Sequence, residues 1–324
     1  MACDPDDSGA PDSGPNDERC SFSFAILTDT HIGEGTGDYG TAGWDDGYDD
    51  QVESDSEAVL AQAVTDINTL AEAPDGPSFA LILGDITDSG ERSELERADI
   101  LLGQLTLPWL PLLGNHDTWP YAYDASASTY AEAETPTGDA LLYETFAQRF
   151  EVFEATHPTA VHAEPAWDPA IGTERPFVNF AFTHCGVRFV AIDTNTRTPA
   201  EGEPPGIGPE AALHTMDGGP WPWLLDDLTQ GAGGSAETVV VLAHHPFTQS
   251  TMLAFDEEDF ATIEADLQAH GVEDRIAAFF GGHLHLDSEQ SGPTGIPVVL
   301  TAATKDGHGP RVVQVSELGK LDWD

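Results

Sequence analysis

The feature that most limits the fold of this chain is an apolar strand that ends on a charge. Residues 79–88 read FALILGDITD: five apolar residues, a glycine, then Asp85. An apolar run without alternation fits a strand covered on both faces, as in a parallel sheet flanked by helices. In an open α/β sheet ligands bind at the carboxyl ends of strands, so Asp85 is delivered to the rim of a crevice and not into the core. One such aspartate would ordinarily be a turn residue. Here other strand ends carry the same kind of group, and a metal ion is the partner expected for it.

Taken from the start, an apolar strand at 22–27 ends in Thr28-Asp29-Thr30-His31. Asp29 and His31 lie where the strand breaks and strict alternation of faces lapses, so both can turn to one point as a chelate. Residues 51–73 place Val52, Val59, Ala63, Val64, Ile67 and Leu70 on one helical stripe, which predicts a βαβ unit leading into the Asp85 strand. A second helical pattern at 92–105 precedes the short run 109–113 and then Gly114-Asn115-His116-Asp117. Residues 177–183 and 187–193 read as a hairpin about His184-Cys185-Gly186. A buried strand at 238–243 ends in His244-His245-Pro246, and another at 275–280, after a helix at 256–270, ends in Gly281-Gly282-His283-Leu284-His285.

The charge narrows the partners. With 58 Asp and Glu against 11 Lys and Arg, a formal net of −47, the chain repels nucleic-acid polymers and anionic membranes. Lys305 and Lys320 are its lysines. Such a surface suits high salt, where screening shortens self-repulsion to about 3 Å at 1 M; cation binding by the surface is the competing explanation. No stretch approaches the roughly 20 apolar residues of a membrane span.

Residues 1–20 are rich in Asp, Pro, Gly and Ser and read as a disordered acidic tether. Ala2-Cys3 looks like the end of a bacterial lipobox, so Cys3 could carry a lipid anchor; otherwise a Cys3–Cys20 disulfide could form in an oxidising compartment. Both place the protein outside the cytoplasm, as a periplasmic, anchored or secreted protein, with the cytoplasm of a halophile as the alternative. Residues 21–324 then form the folded domain, with insertions at about 33–50, 118–176 and 198–220. The first of these is long enough for a lid or substrate rim. His157, His162, Arg197 and His308 read as surface residues, and His184 as an ordinary turn residue.

DxH at 29–31, GDxxD at 84–88, GNHD at 114–117, HHP at 244–246 and GHxH at 282–285 follow one another in this order. Over about 22–285 the chain thereby resembles the calcineurin-like metallophosphoesterases. Pattern alone gives α/β; the resemblance implies a four-layer α-β-β-α sandwich of two mixed sheets, with the strands at 297–302 and 311–315 closing the second. It also implies two divalent metal ions bridged by Asp85. Asp29, His31 and His285 complete one site, and Asn115, His244 and His283 the other, with His245 as a neighbour. Two carboxylates would leave about +2 of the metal charge to meet a phosphate ester and a hydroxide, since a metal lowers the pKa of bound water toward about 7. His116 carries no metal in this scheme. It would bind a phosphoryl oxygen or protonate the leaving group, with Asp117 orienting its ring.

Purple acid phosphatases of the family have a tyrosine ligand where this chain has Asp88, so a ferric–tyrosinate site is not expected. Histidine, asparagine and carboxylate ligands suit manganese, zinc, iron, cobalt or nickel. The implied function is hydrolysis of small phosphate diesters or monoesters: the DxH, GNHD and HHP combination resembles the cyclic-nucleotide and glycerophosphodiester phosphodiesterases of the family, and it also occurs in phosphomonoesterases. The alternatives are a phosphomonoesterase alone, or a catalytically silent metal-binding scaffold.

Overall fold

The structure, a computed structural model, describes residues 19–34, 54–118, 121–124, 129–132, 138–157, 160–163, 165–168, 173–175, 177–196, 211–250 and 253–323. Most of the expected tether, most of the 33–50 loop, Cys3 and Arg197 lie outside them.

The chain begins as the apolar runs predict. β1 (Phe22–Leu27) leads to α1 (Asp55–Ala71), β2 (Pro77–Ile82), α2 (Arg92–Leu102) and β3 (Trp109–Pro111). β1, β2 and β3 pair in parallel, with a helix crossing over between each consecutive pair. The four-residue α3 (Asn115–Thr118) follows, then a hairpin of β4 (Tyr121–Asp124) and β5 (Thr129–Glu132), and the long α4 (Gly138–Thr156). β6 (Val161–His162), a small pair β7 (Ala166–Asp168) and β8 (Thr173–Arg175), and the hairpin β9 (Phe180–His184) and β10 (Val187–Ala191) complete the middle. The last part holds α5 (Pro220–Thr229), β11 (Thr238–Leu242), α6 (Glu257–His270), β12 (Ile276–Gly281), β13 (Ser288–Ser291), β14 (Pro297–Leu300), β15 (Arg311–Val315) and β16 (Leu321–Asp322).

Two mixed sheets carry the fold, in the orders β16-β15-β1-β2-β3 and β13-β14-β12-β11-β10-β9-β6. β15 is a correction to the sequence reading: it runs antiparallel to β1, with Phe22 opposite Val315 and Ile26 opposite Arg311, and so belongs to the first sheet and not the second. Its valines could pack in either sheet, and hydrophobicity does not choose the neighbour. The two-sided burial of the central strands follows from their alternation. Along β11, Val240 and Leu242 join the core shared with β1 and β2, whereas Val239 and Val241 join a second core with Trp221, Leu224, Ile263 and Leu267 of α5 and α6. Helices α1 and α2 cover the other sheet, giving an α-β-β-α sandwich.

Between the sheets the packing is aromatic. Phe24 stacks on Phe79 at 5.5 Å within the first sheet and meets Phe189 of the second edge-on at 5.1 Å. Each fully buried phenylalanine contributes about 1.5–3 kcal/mol by transfer from water. A buried pair ties α5 to the second sheet: Arg188 of β10 grips Asp227 with Nε–Oδ2 at 3.1 Å and Nη2–Oδ1 at 2.5 Å. The fork geometry satisfies both charges, which is what makes their burial tolerable.

Two further expectations are corrected at the edge of this core. Cys20 forms a disulfide with Cys185, not with Cys3, and its Cα atoms are 5.1 Å apart across 165 residues of sequence. The partner is set by the fold: Phe22 at the start of β1 packs its ring 4.6 Å from that of His184, beside the β9–β10 turn that carries Cys185. His157 is buried and not on the surface. It stacks on Phe153 at 4.0 Å and its Nε2 lies 3.3 Å from His184 Nδ1. His162 is exposed, as expected, and pairs with Glu154 at 2.7 Å.

Candidate metal centre

The residues singled out by type lie at the carboxyl ends of parallel strands. Asp29 and His31 follow β1, Asp85 follows β2, Asn115 and His116 open α3 just beyond β3, His244 follows β11, and His283 and His285 follow β12. β1, β2 and β3 belong to one sheet, β11 and β12 to the other, so the groups meet where the two sheets end side by side.

The backbone is bent to make them meet. Asp29, His31, Asp85, His283 and His285 all adopt left-handed φ, between +41° and +67°. Among the described residues only Cys185, His214 and Thr294 are other non-glycine examples. Such a conformation costs a residue with a Cβ about 1–2 kcal/mol, so five at one place mark a site that the rest of the structure holds under strain. The loops are sewn together: Asp29 N–H donates to Gly84 O at 3.0 Å, Thr30 N–H to Asp85 O at 2.8 Å and Gly282 N–H to His244 O at 2.9 Å. Two glycines make these approaches possible. A Cβ on Gly84, itself at φ +87°, would stand 2.6 Å from Gly114 N and 2.8 Å from His244 Nδ1. One on Gly282 would stand 2.5 Å from the Asp29 carboxylate.

Three groups of side chains could each hold a cation, with ligand atoms within 4.8 Å of one another: Asp29, His31 and His285; His31, Asp85 and His116; Asp85, His244 and His283. His31 and Asp85 each belong to two of them. His285 Nε2 lies 3.2 Å from Asp29 Oδ1, His244 Nε2 3.2 Å from Asp85 Oδ2 and His31 Nε2 3.6 Å from the same Oδ2. Asn115 Oδ1 joins the second group at 3.1 Å from His244 Nε2 and 3.0 Å from His283 Nδ1.

Proton positions decide whether a cation fits. His244 Nδ1 is 2.7 Å from Leu83 O, so that nitrogen carries the hydrogen and donates it. Nε2 then faces two oxygens, Asp85 Oδ2 and Asn115 Oδ1, and is the ring atom through which a cation could be held. His31 repeats the arrangement: Nδ1 donates to Asp88 Oδ1 at 3.1 Å, and its buried Nε2 has no hydrogen-bond partner and faces Asp85. Nε2 atoms aimed at a shared carboxylate, with the far ring nitrogens tied to oxygen, are the arrangement that a metal-binding histidine needs. The residues therefore fit divalent ions. The electrostatics show a place that draws positive charge: burial works against charge on His244, but Asp85 and Asp29 outweigh it and push its pKa up to about 10, so that without an ion a proton takes that place. Burial also opposes charge on Asp85, and the surrounding histidines nonetheless hold it well below the usual carboxylate range.

His116 sits at the side of this cluster, its ring 4.5 Å from that of His31 and its N–H on Asp85 Oδ1 at 2.9 Å. Its Nδ1 donates to the Asp88 carbonyl at 2.6 Å. Burial lowers its pKa. The ring contact expected from Asp117 is thus made by Asp88. Asp117 turns back from α3 and accepts from Gly114 N at 2.8 Å, Ile86 N at 3.2 Å, Thr87 N at 2.9 Å and Thr87 Oγ1 at 2.7 Å. It locks the GDITD loop to the GNHD loop, and burial and the Asp85 charge raise its pKa to about 6 against those donors. Asp88 is the residue that motif reading undervalued, although its place at the end of GDITD was visible.

A family model described as calcineurin-like phosphoesterase matches residues 22–287. The chain belongs to the calcineurin-like phosphoesterase family. Its fold agrees with that membership. A dimetal phosphatase from Danio rerio aligns with a TM-score of 0.52 at 14% identity, over 91% of this chain and 93% of its own. Purple acid phosphatase PPD1 from yellow lupin (Lupinus luteus) gives 0.50 at 11% identity, over 94% of this chain and 53% of its own. At such identities the likeness is one of fold. No curated protein matches in sequence. Among the described residues no helix is long and apolar enough to cross a membrane.

Proposed function

We propose that this calcineurin-like phosphoesterase hydrolyses small phosphate esters at a dinuclear centre. Asp29, His31, Asp85 and His285 would hold one divalent ion, and Asp85, Asn115, His244 and His283 the other. The single observation that carries the reading is Asp85 Oδ2, which faces His31 Nε2 on one side and His244 Nε2 on the other. When bound, the ions would lower the pKa of water and neutralise phosphate charge; manganese, zinc or iron(II) match the nitrogen and oxygen donors.

The chain's own residues supply the rest. Asp88 fixes the His116 tautomer: Nδ1–H is given to the Asp88 carbonyl, and proton exchange with a substrate would fall to Nε2. With 23% of its side chain exposed, His116 can reach a phosphoryl oxygen or the departing alkoxide, and proton transfer of this kind contributes about 10²–10⁴-fold. Asp117 holds the loops that carry Asp85 and His116 in register. The Cys20–Cys185 disulfide supports a location outside the reducing cytoplasm.

Turnover of p-nitrophenyl phosphate and of its bis-ester with added Mn²⁺ or Zn²⁺ tests this. Wild type should hydrolyse at least one ester, and Asp85→Ala and His116→Ala should lose nearly all of that rate. Background rates for all three proteins would instead favour the catalytically silent scaffold.

A further inference from the structure

In so acidic a chain, a cation at the rim of the site needs a reason. Lys305 lies in the single turn Thr304–Asp306 that follows β14. This turn is clamped to the metal loop: Thr304 N–H donates to Thr28 O at 2.9 Å, Lys305 N–H to Asp29 O at 3.1 Å, and Asp306 Oδ2 lies 3.8 Å from His285 Nδ1. The lysine side chain is 14% exposed, and its charge is felt by His31 and by Asp88. Arg188 is committed to Asp227 and Arg311 to Asp287.

The present partner of Lys305 is Glu34, whose Oε1 lies 2.5 Å from Nζ. Glu34 is itself anchored by its N–H on His31 O at 3.1 Å, but 45% of its side chain is exposed. An exposed carboxylate recovers water readily on release, and exposed pairs of this kind are worth little, about 0–1 kcal/mol. The lysine, more enclosed, would keep its place and take another anion. Phosphomonoesters and diesters differ in this respect. A monoester loses its second proton with a pKa of about 6 and is nearly a dianion above pH 7, whereas a diester has a single charge.

We propose that Lys305 selects phosphate esters that carry a second negative charge, and that Glu34 holds its place until such a substrate displaces it. The proposal rests on the phosphoesterase reading above. Lys305 binds the non-bridging oxygen that a monoester has and a diester lacks, as a compact point charge with three donors. It makes the site a monoesterase by preference.

The test compares metal-loaded wild type with Lys305→Met, Lys305→Arg and Glu34→Gln at pH 8. The ratio of kcat/KM for p-nitrophenyl phosphate to that for the bis-ester should fall about tenfold in Lys305→Met, the scale of one charge-assisted hydrogen bond. Lys305→Arg, which keeps the charge, should restore most of it, and Glu34→Gln should raise it. A ratio unchanged in Lys305→Met, or a loss shared equally by the two esters, overturns the proposal. Calorimetric titration of the same proteins with inorganic phosphate separates it from the catalytic reading. If wild type turns over neither ester, that reading fails, and phosphate still decides on Lys305. Binding about tenfold weaker in Lys305→Met supports the proposal, and equal binding overturns it.

Discussion

Asp88 holds His31 through its carboxylate and His116 through its carbonyl, so one residue of the GDITD stretch orients both a candidate ligand and a candidate acid. Removing the carboxylate leaves the carbonyl in place and separates these roles. Asp88→Ala should weaken metal binding about 10- to 100-fold, the usual effect of losing a partner behind a ligating histidine. His116→Ala should lower kcat about 10²–10⁴-fold while metal affinity stays at the wild-type value. Metal titrations and steady-state kinetics on the two variants check both statements; loss of an ion from His116→Ala would make His116 a ligand, which its place beside His31 and Asp85 allows. The convergence of these residues was legible because each is a metal-binding type set directly after an apolar strand. The orientation of His116 was not. Asp117 adjoins it in sequence, but the turn of α3 swings that carboxylate back onto the amides of residues 86, 87 and 114.

At the level of elements, the parallel crossovers bring the strand ends together and the disulfide secures the start of the chain to the second sheet. The βαβ units could be read from apolar runs alternating with helical stripes. The sheet that would accept β15 could not, because a valine-rich strand fits either core. Nor could the cysteine pairing, since three cysteines permit three choices and only the contact of β1 with the β9–β10 turn selects one. The bridge closes a long loop, so it should stabilise the protein chiefly by restricting the unfolded chain. The double variant Cys20→Ser/Cys185→Ser should be less stable by about 2–5 kcal/mol, read from urea unfolding at equal slope. An unchanged midpoint would show that the bridge does not contribute to stability.

The whole molecule carries a formal net charge of −47, and self-repulsion of that size opposes the compact state. Raising ionic strength from 0.1 to 1 M shortens the screening length from about 10 to about 3 Å. The thermal midpoint should therefore climb between those NaCl concentrations, and a flat or falling midpoint in scanning calorimetry would contradict this reading of the surface. The same charge makes the centre depend on its ions, because two carboxylates and a ring of histidines gather there, with Lys305 beside them among the described residues. That dependence is the claim on which the others stand. It is tested most directly by loading the protein with Mn²⁺ or Zn²⁺, removing loosely held ion, and counting metal per chain by plasma mass spectrometry. The account predicts about two ions for wild type, one for each side of the Asp85 bridge, and one or none for Asp85→Ala. Two ions retained by Asp85→Ala, or fewer than one by wild type, would contradict it.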